Sequence, residues 1–381
     1  MTGQYRRWKQ EIQGVLFPVT KLFTLATMNR PSPPFSSQGA LRAAFVSGLH
    51  RLIGNKNLGE LVLVMANACF DPEIHAELED PLFRWFEALA ARVQGELQGG
   101  RPPNEPPDDL LVFLKLMAIG FDGVRLTSIR NEGPWEIQFN HVRAFRPRRM
   151  SGDRVHGIRA PFNPDGFHFN KPFLRQETFW SGELGGRQVD LLYNKFPFVS
   201  LHGLLVPDRT TNKPQFLERA DHDHIWALTE DLGEALPGVG FGYNSYGACA
   251  SVNHLHFQMF VRDAPLPVAR PEWSHNGGDT EYPTLCTRFD GRDEAWQALC
   301  ELHADGASYN LIYLPGALYC LPRRKQGECR HADWTSGFAW YELAGGFTTF
   351  NQQDFDTLDA GAIAAELRRV SPEVEAGMQD A

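Results

Sequence analysis

The sequence predicts an α+β fold in which an antiparallel sheet, built from two related halves, follows a helical N-terminal domain. Three observations point there. Upstream of a Pro/Gly-rich stretch the apolar residues recur every three or four positions, whereas downstream they alternate with period two. The strand pairs are joined by an occasional helix, not in strict strand–helix–strand order, which favours an antiparallel sheet. At 381 residues, 43% hydrophobic and 12% aromatic, the chain can pack a sizeable core and does not resemble a disordered one.

In chain order, Ser37 is placed to cap a helix over Leu41 to Leu52. Asp71-Pro72 opens a second helix, with Leu82, Phe83, Phe86, Leu89 and Val93 on one stripe. The run Gly99-Gly100-Arg101-Pro102-Pro103-Asn104-Glu105-Pro106-Pro107-Asp108 suits neither helix nor central strand. It divides the chain into a helical domain (1–98), a linker (99–108) and a sheet-bearing domain (109–381). Beyond it, Trp135 to Phe139, Val189 to Tyr193 and Gly203 to Pro207 read as strands. Asp221 is placed to cap a helix through Trp226, Leu228 and Leu232 that ends near Pro237-Gly238. Val239 to Tyr243 and His254 to Val261 form a further strand pair, and Pro315-Gly316 turns a hairpin between Tyr309–Tyr313 and Ala317–Leu321. That hairpin echoes the earlier pair ending at Pro207, since each closes on a proline, which is the basis for two related halves.

The formal net charge is −9, from 37 Lys+Arg against 46 Asp+Glu. Such a balance argues against nucleic acid or a membrane surface as partner but leaves room for a small phosphate-bearing molecule, which needs only local positive charge. The most apolar run, Leu110 to Phe121, is too short to span a bilayer. Six scattered cysteines read as reduced thiols, and no export signal follows Met1, so a cytoplasmic protein is expected.

Chemistry concentrates in Phe241 to Phe260. Read as a strand, His254, His256 and Gln258 share one face while Leu255, Phe257 and Met259 share the other. Two imidazoles and an amide are costly to bury without a purpose. The preceding Gly/Ser/Asn loop offers donors to phosphate oxygens. This set suits attack on phosphorus by a neutral imidazole, giving a covalent phosphoramidate that a second acceptor resolves. A bare His-x-His also fits two satisfied histidines or two metal ligands; Gln258 and the loop favour the catalytic reading.

His254-Leu-His256-Phe-Gln258 resembles the His-x-His-x-Gln motif of the histidine-triad superfamily, in its nucleotidyl-transferring branch. The longer string from Gly242 to Gln258 is most similar to the GDP-L-galactose (GDP-glucose) phosphorylases, and the chain also resembles diadenosine tetraphosphate phosphorylase. Phe167-His-Phe-Asn-Lys171, Asn194-Lys-Phe-Pro197, Leu321 to Gly327 and Trp340 to Gly345 carry weaker likenesses. The resemblance implies a histidine-triad-like sheet, His256 as the nucleophile, His254 as its support and Gln258 on the transferred phosphoryl group. It also implies Asn194, with Lys195, near the nucleoside, and Asn244, Ser245 and Ser251 near the phosphates; Arg323 and Lys325 complete the phosphate-binding candidates. His202-Gly203 reverses the order common in related proteins, so His202 receives no role. The first hundred residues match nothing in the family.

The expected activity is phosphorolysis of a GDP-hexose to GDP and hexose 1-phosphate. The alternatives are a dinucleoside polyphosphate phosphorylase, a nucleotide hydrolase, or a non-catalytic nucleotide-binding protein with its helical domain contacting a protein partner. The partners are then a nucleoside diphosphate sugar or dinucleotide and inorganic phosphate. No cofactor is required, although Cys320, Cys329 and His331 leave a zinc site open. Asp221-His222-Asp223-His224 reads as a solvated helix start, because i and i+2 diverge on a helix. Arg143, Arg146, Arg148, Arg149, Arg154 and Arg159 are either a solvated basic loop or phosphate ligands.

Overall fold

In the computed structural model of the chain, residues 34–147 and 155–372 are described. The first four helices are α1 (Gln38–Leu52), α2 (Leu58–Ala68), α3 (Pro72–Gln98) and α4 (Pro107–Ile119). Ser37 caps α1, accepting from the Ala40 N–H at 3.1 Å, and the Asp71 carboxylate caps α3 by accepting from Glu73 and Ile74. Along α3, Leu78, Leu82, Trp85, Phe86, Leu89 and Val93 are buried, whereas Phe83 lies off the stripe and is 43% exposed. Every residue of α2 is buried, so it shows no amphipathic period.

The strands are β1 (Ser128–Glu132), β2 (Trp135–Phe139), β3 (Thr178–Leu184), β4 (Arg187–Tyr193), β5 (Gly203–Pro207), β6 (Val239–Asn244), β7 (Phe257–Val261), β8 (Thr287–Phe289), β9 (Ser308–Leu314), β10 (Ala317–Arg323) and β11 (Gly346–Thr349). Between and after them run α5 (His141–Ala144), α6 (Arg219–Gly233), α7 (Arg292–Ala304), α8 (Trp340–Leu343), α9 (Gln352–Thr357) and α10 (Ala360–Val370). Eight strands form one antiparallel sheet in the order β3-β4-β5-β7-β6-β9-β10-β8, and β1-β2-β11 form a smaller one with β2 and β11 parallel. The α+β class with an antiparallel main sheet is therefore as the sequence predicts.

The halves correspond differently from the sequence reading. β5-α6-β6-β7 and β8-α7-β9-β10 share one connectivity, and they meet where β6 pairs antiparallel with β9. The hairpin of β9 and β10 thus matches β6 and β7, not β4 and β5. A proline at a strand end is common to many hairpins and does not encode sheet position.

One apolar cluster covers a whole face of the main sheet. It joins Val189, Leu191, Tyr193, Phe257, Met259, Leu311 and Tyr313 to residues of α1–α4, α6 and α7. The 99–106 segment accordingly runs between α3 and α4 of a shared core, where the sequence predicts a boundary between separate domains. The described residues fall in one compact unit. The opposite face carries two smaller clusters. One contains Phe169, Leu174, Leu192 and Val206; the other contains Phe198, Phe260, Trp340 and Tyr341. Gln258 pairs with Leu204 on one side and Gly242 on the other, so it points into the polar strip between those clusters. Among the described residues, no helix is long and apolar enough to cross a membrane.

Candidate active site

The two histidines stand just before β7, not within it as the sequence predicts, because the strand begins at Phe257. The alternation survives nonetheless: Leu255, Phe257 and Met259 enter the large core, while His254, His256 and Gln258 face the other way. Leaving the ladder frees two backbone groups for side-chain work. The His256 ring donates Nδ1–H to the His254 carbonyl at 2.8 Å, which fixes the tautomer and leaves the Nε2 lone pair available. His256 is 5% exposed, and burial pushes its pKa down to about 4, so the ring is neutral at physiological pH.

Gln215, in the loop before α6, clamps the His256 backbone. Its Oε1 accepts the His256 N–H at 2.9 Å and its Nε2 donates to the Asn244 carbonyl at 2.9 Å. Asn253 seats Gln215 in turn, accepting the Gln215 N–H at 2.9 Å. Nothing in the local sequence singles out Gln215, since its partners lie 29 and 41 residues away.

His254 serves a different role. Its Nδ1 accepts the Phe169 N–H at 3.2 Å, and a hydrogen bond to the Arg209 backbone holds the ring further. Burial, with the nearby His256, pushes its pKa down to about 4. Phe169 packs against both rings, with centroids 5.4 Å from His254 and 5.1 Å from His256. Thus 167–171, which the sequence marks only weakly, forms a wall of the site.

Gln258 is oriented by His202, to which the sequence assigns no role. The Phe198 N–H points at His202 Nδ1 across 3.4 Å, so Nε2 carries the proton and donates to Gln258 Oε1 at 3.0 Å. The Gln258 amide NH₂ then remains as a donor. His202 is fully buried, which pushes its pKa down to about 3 and keeps it neutral. Asn194 Nδ2 lies 3.3 Å from the same His202 nitrogen, which in this tautomer is itself a donor, so Asn194 stands beside His202 without a hydrogen bond to it.

Residues 129–260 match the model of the GDPGP1-like N-terminal domain, a span that closes two residues beyond Gln258. Over these residues the chain is similar to the GDPGP1-like family. It is 27% identical over 258 residues to GDP-D-glucose phosphorylase 1 of Xenopus laevis, covering 60% of this chain and 64% of that protein. It is 37% identical over 78 residues to GDP-L-galactose phosphorylase 1 of Arabidopsis thaliana, covering 20% of this chain and 17% of that one. The chain therefore spans less than two thirds of the length of either relative. The crystal structure of yeast Ap4A phosphorylase Apa2 aligns with a TM-score of 0.44 at 16% identity, over 72% of this chain and 97% of that one.

The remaining predicted residues divide by what they touch. Asn244 is buried, and its Oδ1 accepts from Asn310 Nδ2 at 2.6 Å and from the Trp340 N–H at 2.8 Å. Ser245 Oγ accepts the Tyr309 N–H at 2.9 Å. Both side chains thus brace the loop that follows β6 against β9. Ser251 is exposed on that loop. Arg323 is buried and donates to the Phe338 and Arg324 carbonyls. The backbone N–H of Lys325 donates to Glu328 at 2.8 Å. Lys195 turns toward the helices: its ammonium donates to Asp109 at 2.5 Å, and its field reaches Glu177, which burial raises to about 7.

Arg143 lies over the Phe198 ring at 5.0 Å and donates to the Phe196 carbonyl, while Arg159 lies over Phe216 at 4.1 Å. Arg148, Arg149 and Arg154 fall outside the described residues. The start of α6 is solvated on one face alone: Glu218 and Ala220 are exposed, whereas Asp221, His222 and His224 are buried. Glu218 is its N-cap, Asp221 is a buried partner of Arg187 and Lys213, and His222 bonds Tyr313 and the Arg292 carbonyl. Among the described residues, no group of three or more His, Cys, Asp or Glu side chains is disposed to hold a metal ion, and Cys320 sits in the core.

Proposed function

We propose that this chain transfers a nucleotidyl group through a covalent intermediate on His256, with a GDP-hexose as donor and inorganic phosphate as acceptor. The observation that carries this reading is the neutral His256 ring, whose Nδ1–H is tied to the His254 carbonyl while Nε2 has no hydrogen-bond partner among the described residues. Nε2 attacks the α-phosphorus and the bond to the hexose 1-phosphate breaks, that group leaving as an anion that needs no proton. The positive charge that develops on the ring is stabilised by the carbonyl accepting Nδ1–H, and the Gln258 amide donates to a phosphoryl oxygen. Phosphate then attacks the same phosphorus, yielding GDP and the free histidine. The chemistry asks for no cofactor, and the six unpaired thiols suit a reducing cytoplasm. The GDP-hexose assignment draws on the names of the frog and plant relatives.

The test is incubation with α-labelled GDP-glucose, followed by denaturing capture and by phosphorolysis assays. Wild type acquires an acid-labile, base-stable label that phosphate discharges as GDP, and His256→Ala acquires none. Absence of both label and turnover leaves a non-catalytic nucleotide binder. Equal rates with diadenosine tetraphosphate overturn the GDP-hexose preference, and labelled product without phosphate indicates a hydrolase.

A further inference from the structure

On the loop that leads to the motif, Cys249 sits in the left-handed region at φ +64°, a conformation that a side chain other than Gly, Asn or Asp rarely adopts. Its thiol is partly exposed, and the Arg323 guanidinium lies 3.8 Å from Sγ. Across from it stands His331, whose side chain is 9% exposed. His331 Nδ1 lies 2.8 Å from Glu366 Oε1, a carboxylate 1% exposed that also accepts from the Ala332 N–H and pairs with Arg369 at 3.2 Å. Held this way, Nδ1 donates to the carboxylate and Nε2 is left as a base with no partner among the described residues.

Gly337 keeps the space between them open. A Cβ built there would meet His331 Nε2 at 3.5 Å and Cys249 Sγ at 3.6 Å, so both reactive atoms face one gap. A thiol, an imidazole base, a carboxylate that orients it and a guanidinium beside the sulfur are the parts of an activated thiol nucleophile. None of the four takes part in the nucleotidyl-transfer chemistry proposed above.

We propose that Cys249 is a reactive thiol, activated by His331 and Glu366, that undergoes exchange with small-molecule disulfides. His331 Nε2 takes the Sγ proton and the thiolate attacks one sulfur of the disulfide. A Cys249–sulfur bond forms as the disulfide bond breaks, and the departing thiolate recovers the proton from His331. Arg323 stabilises the thiolate before attack.

The experiment treats the native full-length chain with an aryl disulfide whose released thiolate is coloured, and peptide mass mapping assigns each adduct. Cys300 is exposed and supplies the reference rate, while Cys69 and Cys320 are buried and report unfolding if they react. Cys249 is expected to react about ten-fold faster than Cys300, and His331→Asn is expected to remove that advantage while Cys300 keeps its rate. A Cys249 rate no higher than that of Cys300, or one that His331→Asn leaves unchanged, overturns the proposal. The readout is the thiol itself, so it stands or falls apart from nucleotidyl transfer.

Discussion

At the scale of single residues, the site works by giving each polar side chain a fixed donor or acceptor role. His256 offers Nε2 because His254 takes the proton on Nδ1, and Gln258 offers its amide because His202 occupies its oxygen. This second link is testable as a cycle. His202→Ala and Gln258→Ala are each expected to lower kcat by about ten-fold or more, and the double variant to be little worse than either. Turnover of the three variants checks it; losses that simply multiply would mean that His202 acts on the fold alone. The motif residues were legible in the sequence because chemistry and spacing coincide within five positions. His202 and Gln215 were not, because each acts on a residue that only the fold brings beside it, Gln258 at 56 and His256 at 41 residues along the chain.

At the scale of elements, β6 shows how packing sets the site. Val239, Phe241 and Tyr243 enter the large core, and on the other face Gly240 and Gly242 make room for the stacked rings of Phe260 and Trp340, whose centroids are 5.1 Å apart. A Cβ on Gly242 would fall 2.2 Å from the Trp340 ring, whose backbone N–H also holds Asn244. Gly242→Ala is therefore expected to cost about 1–3 kcal/mol by overpacking. Urea unfolding measures it, and a midpoint equal to wild type would refute the packing argument. Helices with a cap and a stripe, α1 and α3, were readable in the sequence. α2 was not, since burial on all sides erases the period, and neither was β7's late start, which follows from Gln215 taking the His256 N–H.

At the scale of the whole molecule, one core binds the helical layer to the sheet, so acid acts on all of it at once. His202, His254 and His256 have pKa values of about 3, 4 and 4, depressed chiefly by burial. An unfolded histidine titrates near about 6.5, so between there and about 4 the unfolded chain binds more protons than the folded one. The stability from these neutral rings is fully present above about 6.5 and declines as pH falls toward the folded values. The urea midpoint should drop across that window, and His256→Ala should drop less steeply. Parallel curves for the two proteins would show that His256 contributes nothing to the acid response.

By itself the sequence determined the α+β class, the capped helices, the alternation through residues 254–260 and the chemistry of two histidines and a glutamine, because these depend on covalent spacing and local burial. Tertiary structure alone decided that Lys195 pairs with Asp109, that Arg323 turns to Phe338 and Cys249, and that residues 99–106 join two helices of one core. It also decided which nitrogen of each histidine is free. The physical reason is that a charge answers to whatever burial brings beside it, and Lys195 and Arg323 meet Asp109 and Cys249 from 86 and 74 residues away. The tautomers of His256 and His202 answer instead to backbone groups two and four residues away that only the fold aims at the rings.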